Sequence, residues 1–366
     1  MNAEILTTKD LAKVDPVFGQ ISFDNHEQIV FCNDKDTGLK AIIGVHNTVL
    51  GPALGGTRMW QYTSEWEALN DVLRLSRGMT FKSAISGLNL GGGKAVIIGN
   101  SKTDKSPELI QKFGSFVEGL SGKYITAEDV GTTTADMDLI HDVTKHVTGI
   151  SESRGGSGNP SPITAYGVYM GIKAAAKQQF GTDKLSGLKV LVQGIGNVGE
   201  TVVSYLVKED AVVYITDIFQ ERVEEIAKKY NVHILEGEVY DAAVDIYSPC
   251  ALGATVNDDC LSRLKAKVIA GAANNQLANE VVHGQLLKEK GILYAPDFLI
   301  NAGGIISVYG EIAGYGLDEA MKRTENIYNT TLEIFDLALK QNCTTHQAAL
   351  QLAQQRIDER KKQQSK

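Results

Sequence analysis

One segment constrains the fold of this chain more than any other, a glycine-rich turn between an apolar strand and a helix. The stretch Val190-Leu-Val-Gln-Gly-Ile-Gly-Asn-Val-Gly-Glu200 contains the spacing Gly-x-Gly-x-x-Gly. The apolar pattern predicts a strand over 188–193 before the turn, and a helix over 197–208 and a second strand over 211–216 after it. This order is a βαβ unit, which requires a parallel sheet covered by helices.

The same unit has the chemistry of a dinucleotide site. Its glycines permit a tight turn and close approach of a pyrophosphate, and the helix N-terminus supplies N–H groups and a positive dipole. Asp217 follows the second strand, where an acid binds a ribose hydroxyl and repels a 2′-phosphate, so we expect NAD rather than NADP. A glycine turn in an α/β domain without a nucleotide is the alternative. The residues expected to bind the dinucleotide here are Gly194, Gly196, Asn197, Val198, Gly199 and Asp217.

Length and composition exclude several classes of protein. The chain has 366 residues, enough for about two domains, and its net charge of -8 argues against a nucleic-acid partner. No uncharged apolar run approaches the ~20 residues that cross a bilayer, and the charged N-terminus lacks the apolar core of a secretion signal. The 4 cysteines are scattered without a Cys-x-x-Cys pair. We therefore expect a cytoplasmic protein without a metal site or a membrane partner.

A stretch rich in Gly, Ser and Pro at 151–162 is the best candidate for a linker between domains. The residues before it alternate predicted strands and helices, and the residues after it include the βαβ unit. We therefore expect an α/β fold with a first domain over 1–150 and a second over 151–340. A C-terminal helix over 341–366 is expected to return to the first domain.

Two lysines stand beside glycines, in Gly78-Met-Thr-Phe-Lys82 and in Gly91-Gly-Gly-Lys94. The second is not a phosphate loop of the Walker A type, because Leu88 stands where that motif needs glycine and Ala95 where it needs Ser or Thr. Three consecutive glycines, predicted as a loop that runs into a strand, require close approach of another group or a strained turn. Two lysines in one cleft would repel, so one would be a neutral general base while the other holds a carboxylate. Two solvated surface lysines are the alternative.

A third candidate is the acidic pair in Ala127-Glu-Asp129, which follows a predicted strand at 123–126. An acid at the carboxyl end of a strand can exchange a proton with a substrate amine. An exposed loop carboxylate is the alternative.

Further motifs join these pieces in a fixed order. They are Gly51-Pro-Ala-Leu-Gly-Gly-Thr-Arg-Met59, Thr126-Ala-Glu-Asp-Val-Gly-Thr-Thr133 and Asn159-Pro-Ser-Pro-Ile-Thr-Ala-Tyr-Gly167. Together with the two lysine motifs and the glycine turn, the order resembles the amino acid dehydrogenase family of glutamate, leucine, phenylalanine and valine dehydrogenases. Within that family the chain is most similar to the members that act on leucine. The resemblance runs from about Phe31 to the C-terminal helix, and residues 1 to about 20 look like an N-terminal extension.

The resemblance implies a role for each of the three candidates. Lys82 would bind the substrate α-carboxylate, Lys94 would be the general base that activates water, and Asp129 would exchange protons with the substrate nitrogen. The backbone at Gly55 and Gly56 would line the substrate site. At the nicotinamide end of the cofactor, the resemblance places Thr164, Asn301 and either Asn274 or Asn275. Along the adenosine half it places the run Ser248-Pro249-Cys250-Ala251.

The resemblance also implies an activity and an assembly. The activity is the reversible, NAD-dependent oxidative deamination of an amino acid to a 2-oxo acid and ammonia. Residues 1–150 would bind substrate and form a homo-oligomer, commonly an octamer, and residues 151–340 would be a Rossmann-type NAD-binding domain. Closure of the two domains around the linker would hold the substrate against the cofactor.

Specificity follows from the side chains at the positions that match the family's pocket. Glutamate-specific members have a lysine and a serine where this chain has Leu54 and Val308, so the buried carboxylate of glutamate would lack a partner here. An aliphatic pocket for leucine, isoleucine and valine is expected from Leu54, Met79, Ala127, Ile305 and Val308. Phenylalanine is the runner-up, because a methylene is worth only ~1–3 kcal/mol. Two further interpretations stay open, namely plain core packing of Leu54 and Val308, and an inactive NAD-binding sensor or scaffold.

Overall fold

The computed structural model describes residues 17–19 and 22–365, so most of the expected N-terminal extension lies outside the described residues. The chain divides into two compact units. The first contains the described residues up to Thr80 and Asn89–Ile150, and the second contains Phe81–Leu88 and the described residues from Ser151 onward. Within the described ranges, no helix is both long and apolar enough to cross a membrane.

The first unit is built on a mixed sheet covered by helices. Its described strands are β1 (Gln28–Asp34), β2 (Leu39–Asn47), β3 (Ala53–Trp60), β4 (Gly91–Ile98) and β5 (Tyr124–Glu128). Its helices are α1 (Glu65–Ile85), which continues into the segment of the second unit, α2 (Pro107–Glu118) and α3 (Thr134–His141). The strand order is β1-β2-β4-β3-β5, with β1, β2 and β4 antiparallel to one another in turn and β3 parallel to both β4 and β5.

Each face of this sheet has its own core, because successive strand residues point to opposite faces. Ile42 and Val96 pack with the α1 side chains Leu69 and Leu73. The next residues along the same two strands, Ile43 and Ile97, belong to the second core cluster, which includes side chains of α2 and α3. The sheet is therefore buried on both faces.

The glycines at 91–93 lie in β4, so the prediction of a loop at these positions is wrong. A Cβ on Gly92 would lie 2.1 Å from the backbone nitrogen of Thr80, and one on Gly93 would lie 2.6 Å from the ring of Tyr124. The close approach that the glycines predicted is thus made by α1 and β5 of the protein itself. These glycines let a buried strand pack between its neighbours.

The second unit contains a six-stranded parallel sheet in which every described pair is parallel. Its strands are β6 (Lys189–Gln193), β7 (Val212–Thr216), β8 (His233–Ile234), β9 (Ile246–Pro249), β10 (Val268–Ile269) and β11 (Leu293–Tyr294). The order is β11-β10-β9-β6-β7-β8. The chain therefore runs from β6 out to β8, then returns to β9 beside β6 and runs outward in the other direction. This is the strand order of a Rossmann fold, with its switch point between β6 and β9.

Helices connect and cover this second sheet. They are α4 (Ser161–Phe180), α5 (Asn197–Lys208), α6 (Gln220–Tyr230), α7 (Asp258–Arg263), α8 (Glu280–Glu289), α9 (Asp297–Ile300), α10 (Gly303–Ala313), α11 (Leu317–Glu325), α12 (Ile327–Gln341) and α13 (Thr345–Gln364). The predicted βαβ unit agrees with β6, α5 and β7 to within one residue at each boundary. The predicted fold class, a two-domain α/β protein with a Rossmann-type sheet, is confirmed.

The C-terminal helix α13 differs from the prediction in one respect. It belongs to the second unit, together with the short segment Phe81–Leu88. Arg356 of α13 donates hydrogen bonds to the carbonyl oxygens of Ser83 and Ala84 at 3.4 and 2.9 Å. The helix thus contacts the end of α1, which lies within the first 150 residues of the chain but packs with the second unit.

Candidate active site

The first unit contains a cluster of three charged residues, Lys94, Asp129 and Arg58. Lys94, on β4, is only 6% exposed, and its Nζ contacts Oδ2 of Asp129, directly after β5. Arg58, on β3, donates from Nε to the same carboxylate oxygen at 3.2 Å and from Nη1 to Asp71 at 2.9 Å. Because β3 lies between β4 and β5 and is parallel to both, their side chains converge on one carboxylate.

The surroundings of Lys94 and Asp129 shift the pKa values of both groups. Burial lowers the pKa of Lys94, and Arg58 acts in the same direction, while Asp129 opposes the shift. Burial alone would raise the pKa of Asp129, but Lys94 and Arg58 hold it below its ordinary value. Desolvation is therefore the main reason why Lys94 loses its proton more readily, rather than the repulsion by a second lysine that the sequence suggested.

Asp129 is fixed from the backbone side as well. Its N–H donates to Oγ1 of Thr132 at 3.0 Å, and Oγ1 of Thr132 lies within donating distance of the Thr57 carbonyl, at 2.9 Å. Gly56 leaves room for the acid, because a Cβ there would lie 2.9 Å from the Cβ of Asp129. At Gly55, a Cβ would lie 1.7 Å from the carbonyl oxygen of Gly93. The glycines expected to line a substrate site are thus needed for packing within the protein.

Arg58 is a site residue that the sequence did not single out. It stands inside the motif Gly51–Met59, but its partner Asp129 is 71 residues away. Its alternation with Gly56 along one strand was the available signal, since residues two apart face the same side of a sheet.

The other predicted lysine belongs to the second unit and has a different type of partner. Nζ of Lys82 donates to Oδ1 of Asn301 at 2.7 Å. The amide nitrogen of Asn301 donates to Oδ1 of Asn274 at 2.8 Å and to the carbonyl oxygen of Ala272 at 3.1 Å. Asn275 has a left-handed backbone with φ 52°. The structure therefore connects Asn274, of the two candidate asparagines, to Asn301 and Lys82.

The glycine turn has the three functions that its spacing implies. Gly194 has φ +92°, and a Cβ there would lie 2.6 Å from that of Ala251. A Cβ on Gly199 would lie 1.9 Å from the carbonyl oxygen of Gly194, so this position packs the helix against the turn. At Gly196, at the start of α5, no atom lies within 4 Å of such a Cβ. That open position is where a pyrophosphate can approach the backbone and the N-terminal residues Asn197 and Val198.

Residues of the neighbouring strands surround this turn. Asp217, directly after β7, accepts the N–H of Ile195 through Oδ2 at 2.8 Å and that of Phe219 through Oδ1 at 3.2 Å. The Sγ of Cys250, at the end of β9, lies 3.5 Å from the backbone nitrogen of Ala272. The open glycine, the helix N-terminus and the carboxylate held after the neighbouring strand β7 fit a dinucleotide.

The remaining predicted residues are distributed over both units. Thr164 lies on α4, where its Oγ1 would be 3.0 Å from a Cβ on Gly304. Of the aliphatic set, the first unit holds Leu54, Met79 and Ala127, and α10 of the second holds Ile305 and Val308. Leu54 and Ile305 are 2% and 7% exposed. The pocket that these five would form stays a prediction.

A sheet in Rossmann order, with a glycine turn at its switch point and an acid after the neighbouring strand, defines a dinucleotide-binding α/β domain. Residues 26–146 match the family model of the Glu/Leu/Phe/Val dehydrogenase dimerisation domain. Residues 155–219 and 207–365 match that of Glutamate/Leucine/Phenylalanine/Valine dehydrogenase. The chain therefore belongs to the glutamate, leucine, phenylalanine and valine dehydrogenase family, and it is an amino acid dehydrogenase.

Individual relatives cover nearly the whole chain. It is 53% identical to leucine dehydrogenase of Bacillus cereus over 342 residues, 93% of each chain. It is 46% identical to phenylalanine dehydrogenase of Caldalkalibacillus thermarum over 349 residues, 94% of each chain. The crystal structure of L-tryptophan dehydrogenase from Nostoc punctiforme matches with a TM-score of 0.83 at 45% identity, covering 92% of this chain and 97% of that one. The resemblance to leucine dehydrogenases is confirmed.

Proposed function

We propose that this protein catalyses the NAD-dependent oxidative deamination of L-leucine and other branched-chain aliphatic L-amino acids, and the reverse reductive amination. The observation that carries the proposal is the buried Lys94–Asp129 pair, which brings two groups that can exchange protons to one point. The identity of 53% with a leucine dehydrogenase supports the choice of substrate.

The residues divide the chemistry among them. The glycine turn and Asp217 would hold NAD, which would supply the acceptor for a hydride from the substrate Cα. Lys82 holds the substrate carboxylate, and Asp129 exchanges protons with the substrate nitrogen. Neutral Lys94 removes a proton from water as the oxygen adds to the imine carbon. Asp129, which has taken a proton from the substrate ammonium before hydride transfer, returns it to the nitrogen of the carbinolamine. The C–N bond then breaks to release ammonia, the hydroxyl proton passes to solvent, and a 2-oxo acid remains. Each such proton transfer contributes about 10²–10⁴-fold to the rate.

The preference for NAD rests on Asp217. Its Oδ2 already accepts the N–H of Ile195 at 2.8 Å, so the carboxylate is held beside the glycine turn. A fixed negative charge at this point of the fold accepts a ribose hydroxyl and repels a 2′-phosphate. The fit of the turn to a pyrophosphate supports a dinucleotide but does not distinguish NAD from NADP.

Two features favour an aliphatic side chain over a charged one. Leu54 and Ile305 are buried and uncharged, so a carboxylate placed against them would lose its hydration without gaining a partner. The relatives named for phenylalanine and tryptophan favour an aromatic substrate as the second candidate.

A substrate panel distinguishes these candidates. Purified protein is assayed by NADH absorbance with leucine, isoleucine, valine, phenylalanine, tryptophan and glutamate, each with NAD and with NADP. We expect kcat/KM to be highest for leucine with NAD and lowest for glutamate. Turnover confined to an aromatic amino acid contradicts the aliphatic assignment. Absence of turnover on all six, with NADH binding intact, contradicts the proposed reaction.

We also propose that the protein forms a homo-oligomer, an octamer by resemblance. The support is the family model over residues 26–146, which is described as a dimerisation domain. Light scattering on the eluting peak gives the number of subunits, and a monomer of 39.5 kDa contradicts the proposal.

A further inference from the structure

A buried carboxylate in the second unit has no role in the chemistry above. Asp297 is the first residue of α9 and is 5% exposed. Its Oδ1 accepts the N–H of Phe298 at 2.8 Å, and its Oδ2 accepts the N–H of Gln276 at 3.0 Å. Because the side chain accepts from both backbones, it attaches the start of α9 to a loop 21 residues earlier.

Hydrogen bonds connect the residues of that loop, 271–276, to one another. Gln276 is fully buried, and its Nε2 donates to the carbonyl oxygens of Gly271 at 2.7 Å and of Ala273 at 3.0 Å. The side chain of Gln276 therefore connects the residues of the loop to one another, and the carboxylate of Asp297 connects the loop to α9.

The main chain of Asp297 also contacts Asn301, the residue that accepts a hydrogen bond from Lys82. The N–H of Asn301 donates to the main-chain carbonyl of Asp297 at 3.0 Å. The side-chain nitrogen of Asn301 donates to two oxygens of the loop, on Ala272 and Asn274. A flipped amide would place Oδ1 against both of these oxygens, so only one orientation is favourable. In that orientation Oδ1 faces the ammonium group of Lys82.

We propose that Asp297 is a positioning residue for Lys82. It fixes the loop against α9, the loop fixes the amide of Asn301, and the amide holds the ammonium group where the substrate carboxylate binds. This inference rests on the proposed role of Lys82 as the ligand of that carboxylate.

The substitution Asp297→Asn isolates this effect with little change in volume. An amide has one acceptor oxygen, and its NH2 group would face one of the two backbone N–H groups. A matched control is Asp136→Asn in the first unit. Asp136 is 6% exposed and accepts the Thr133 N–H at 2.8 Å and the Lys105 ammonium at 2.7 Å, so it has comparable burial and bonding.

Two ligands separate positioning from general damage. 4-Methylpentanoate has the carboxylate of leucine without its amine, so its dissociation constant at saturating NAD reports carboxylate binding without turnover. ADP-ribose reports the integrity of the glycine turn. By calorimetry we expect Asp297→Asn to weaken 4-methylpentanoate about ten-fold or more, because a charge-assisted contact is lost. ADP-ribose should change by less than about two-fold, and Asp136→Asn should change neither beyond that limit.

The variant Lys82→Met separates failure of this inference from failure of the proposed function. If Lys82→Met weakens 4-methylpentanoate and Asp297→Asn does not, Asp297 is not a positioning residue, and the role of Lys82 stands. If Lys82→Met leaves the affinity unchanged, the proposed role of Lys82 is wrong and the inference falls with it. Equal weakening of both ligands by Asp297→Asn shows general damage and overturns positioning. Should Asp297→Asn fail to fold, Asn274→Ala removes an acceptor of the Asn301 amide at an exposed position, and unchanged affinity there contradicts the chain of contacts.

Discussion

The two lysines that stand beside glycines lie in opposite surroundings. Lys94 is buried in a strand and contacts the carboxylate of Asp129. Lys82, near the end of a helix, donates to the neutral amide of Asn301. Their glycines differ as well, because Gly92 has backbone of another element within 2.1 Å of a hypothetical Cβ, whereas Gly78 has no atom within 4 Å.

A glycine next to a lysine therefore does not by itself indicate what surrounds the lysine or what the lysine does. A lysine whose charge is disfavoured by burial is suited to give up its proton, and one whose partner is a neutral amide can direct its charge at an anion. Three experiments test this difference, and the largest effect is expected at the buried lysine.

The variant Lys94→Met removes the proposed base while keeping a side chain of similar length. We expect kcat for leucine to fall about 10²–10⁴-fold, which is what general base catalysis contributes. Binding of NADH, measured by its fluorescence, should stay within about two-fold of wild type, because the glycine turn is unaffected. The matched control is Lys102→Met at an exposed lysine, which should keep full turnover. Substantial residual turnover in Lys94→Met removes this residue as the base.

The second experiment compares the glycines. In Gly92→Ala the new Cβ meets the backbone nitrogen of Thr80 at 2.1 Å and the carbonyl oxygen of Ser76 at 2.5 Å. Backbone of a buried helix cannot move aside cheaply, so we expect a loss of about 3 kcal/mol in the free energy of unfolding, the upper range for overpacking. Denaturant titration followed by circular dichroism measures the change.

The matched control is Gly78→Ala in α1, the same substitution in open space. There we expect a gain of roughly 0.5–1 kcal/mol, because alanine loses less backbone entropy than glycine in a helix. Equal effects in the two variants would contradict the distinction between packing and open glycines.

The features that the sequence predicted well are local. The strand, glycine turn and helix from 188 to 208 follow from residues within about twenty positions of one another, and the close packing of Gly199 against Gly194 lies within the same segment. Asp217 is predictable for the same reason, because the length of one helix and one strand sets its place.

The features that the sequence missed depend on distant partners. The prediction of a loop at 91–93 failed because the neighbours of these glycines in space, Thr80 and Tyr124, are on other elements. Arg58 had no visible role in the sequence, because Asp129, whose carboxylate it contacts, is 71 residues away along the chain. The contact between Lys82 and Asn301 spans 219 residues, and no periodicity encodes such a pair.

The smallest of the three expected effects tests the electrostatics of the Lys94 site. As a base, Lys94 acts in its neutral form, so kcat rises with pH through the pKa of this group. Asp129 raises that pKa and Arg58 lowers it. Asp129→Asn should therefore lower the pKa of Lys94 and move the acidic limb of the profile to lower pH. Arg58→Gln should raise the pKa and move the limb to higher pH.

The two displacements of the limb are therefore expected to have opposite signs. The maximum kcat also falls in Asp129→Asn, because the proposed partner of the substrate nitrogen is lost. The quantity to compare is therefore the pH at which the acidic limb lies. Lys102→Met is again the control and should leave the limb in place. Shifts of the same sign in both charge variants would mean that a group other than Lys94 controls the profile, since a single lysine between an anion and a cation must respond to them in opposite directions.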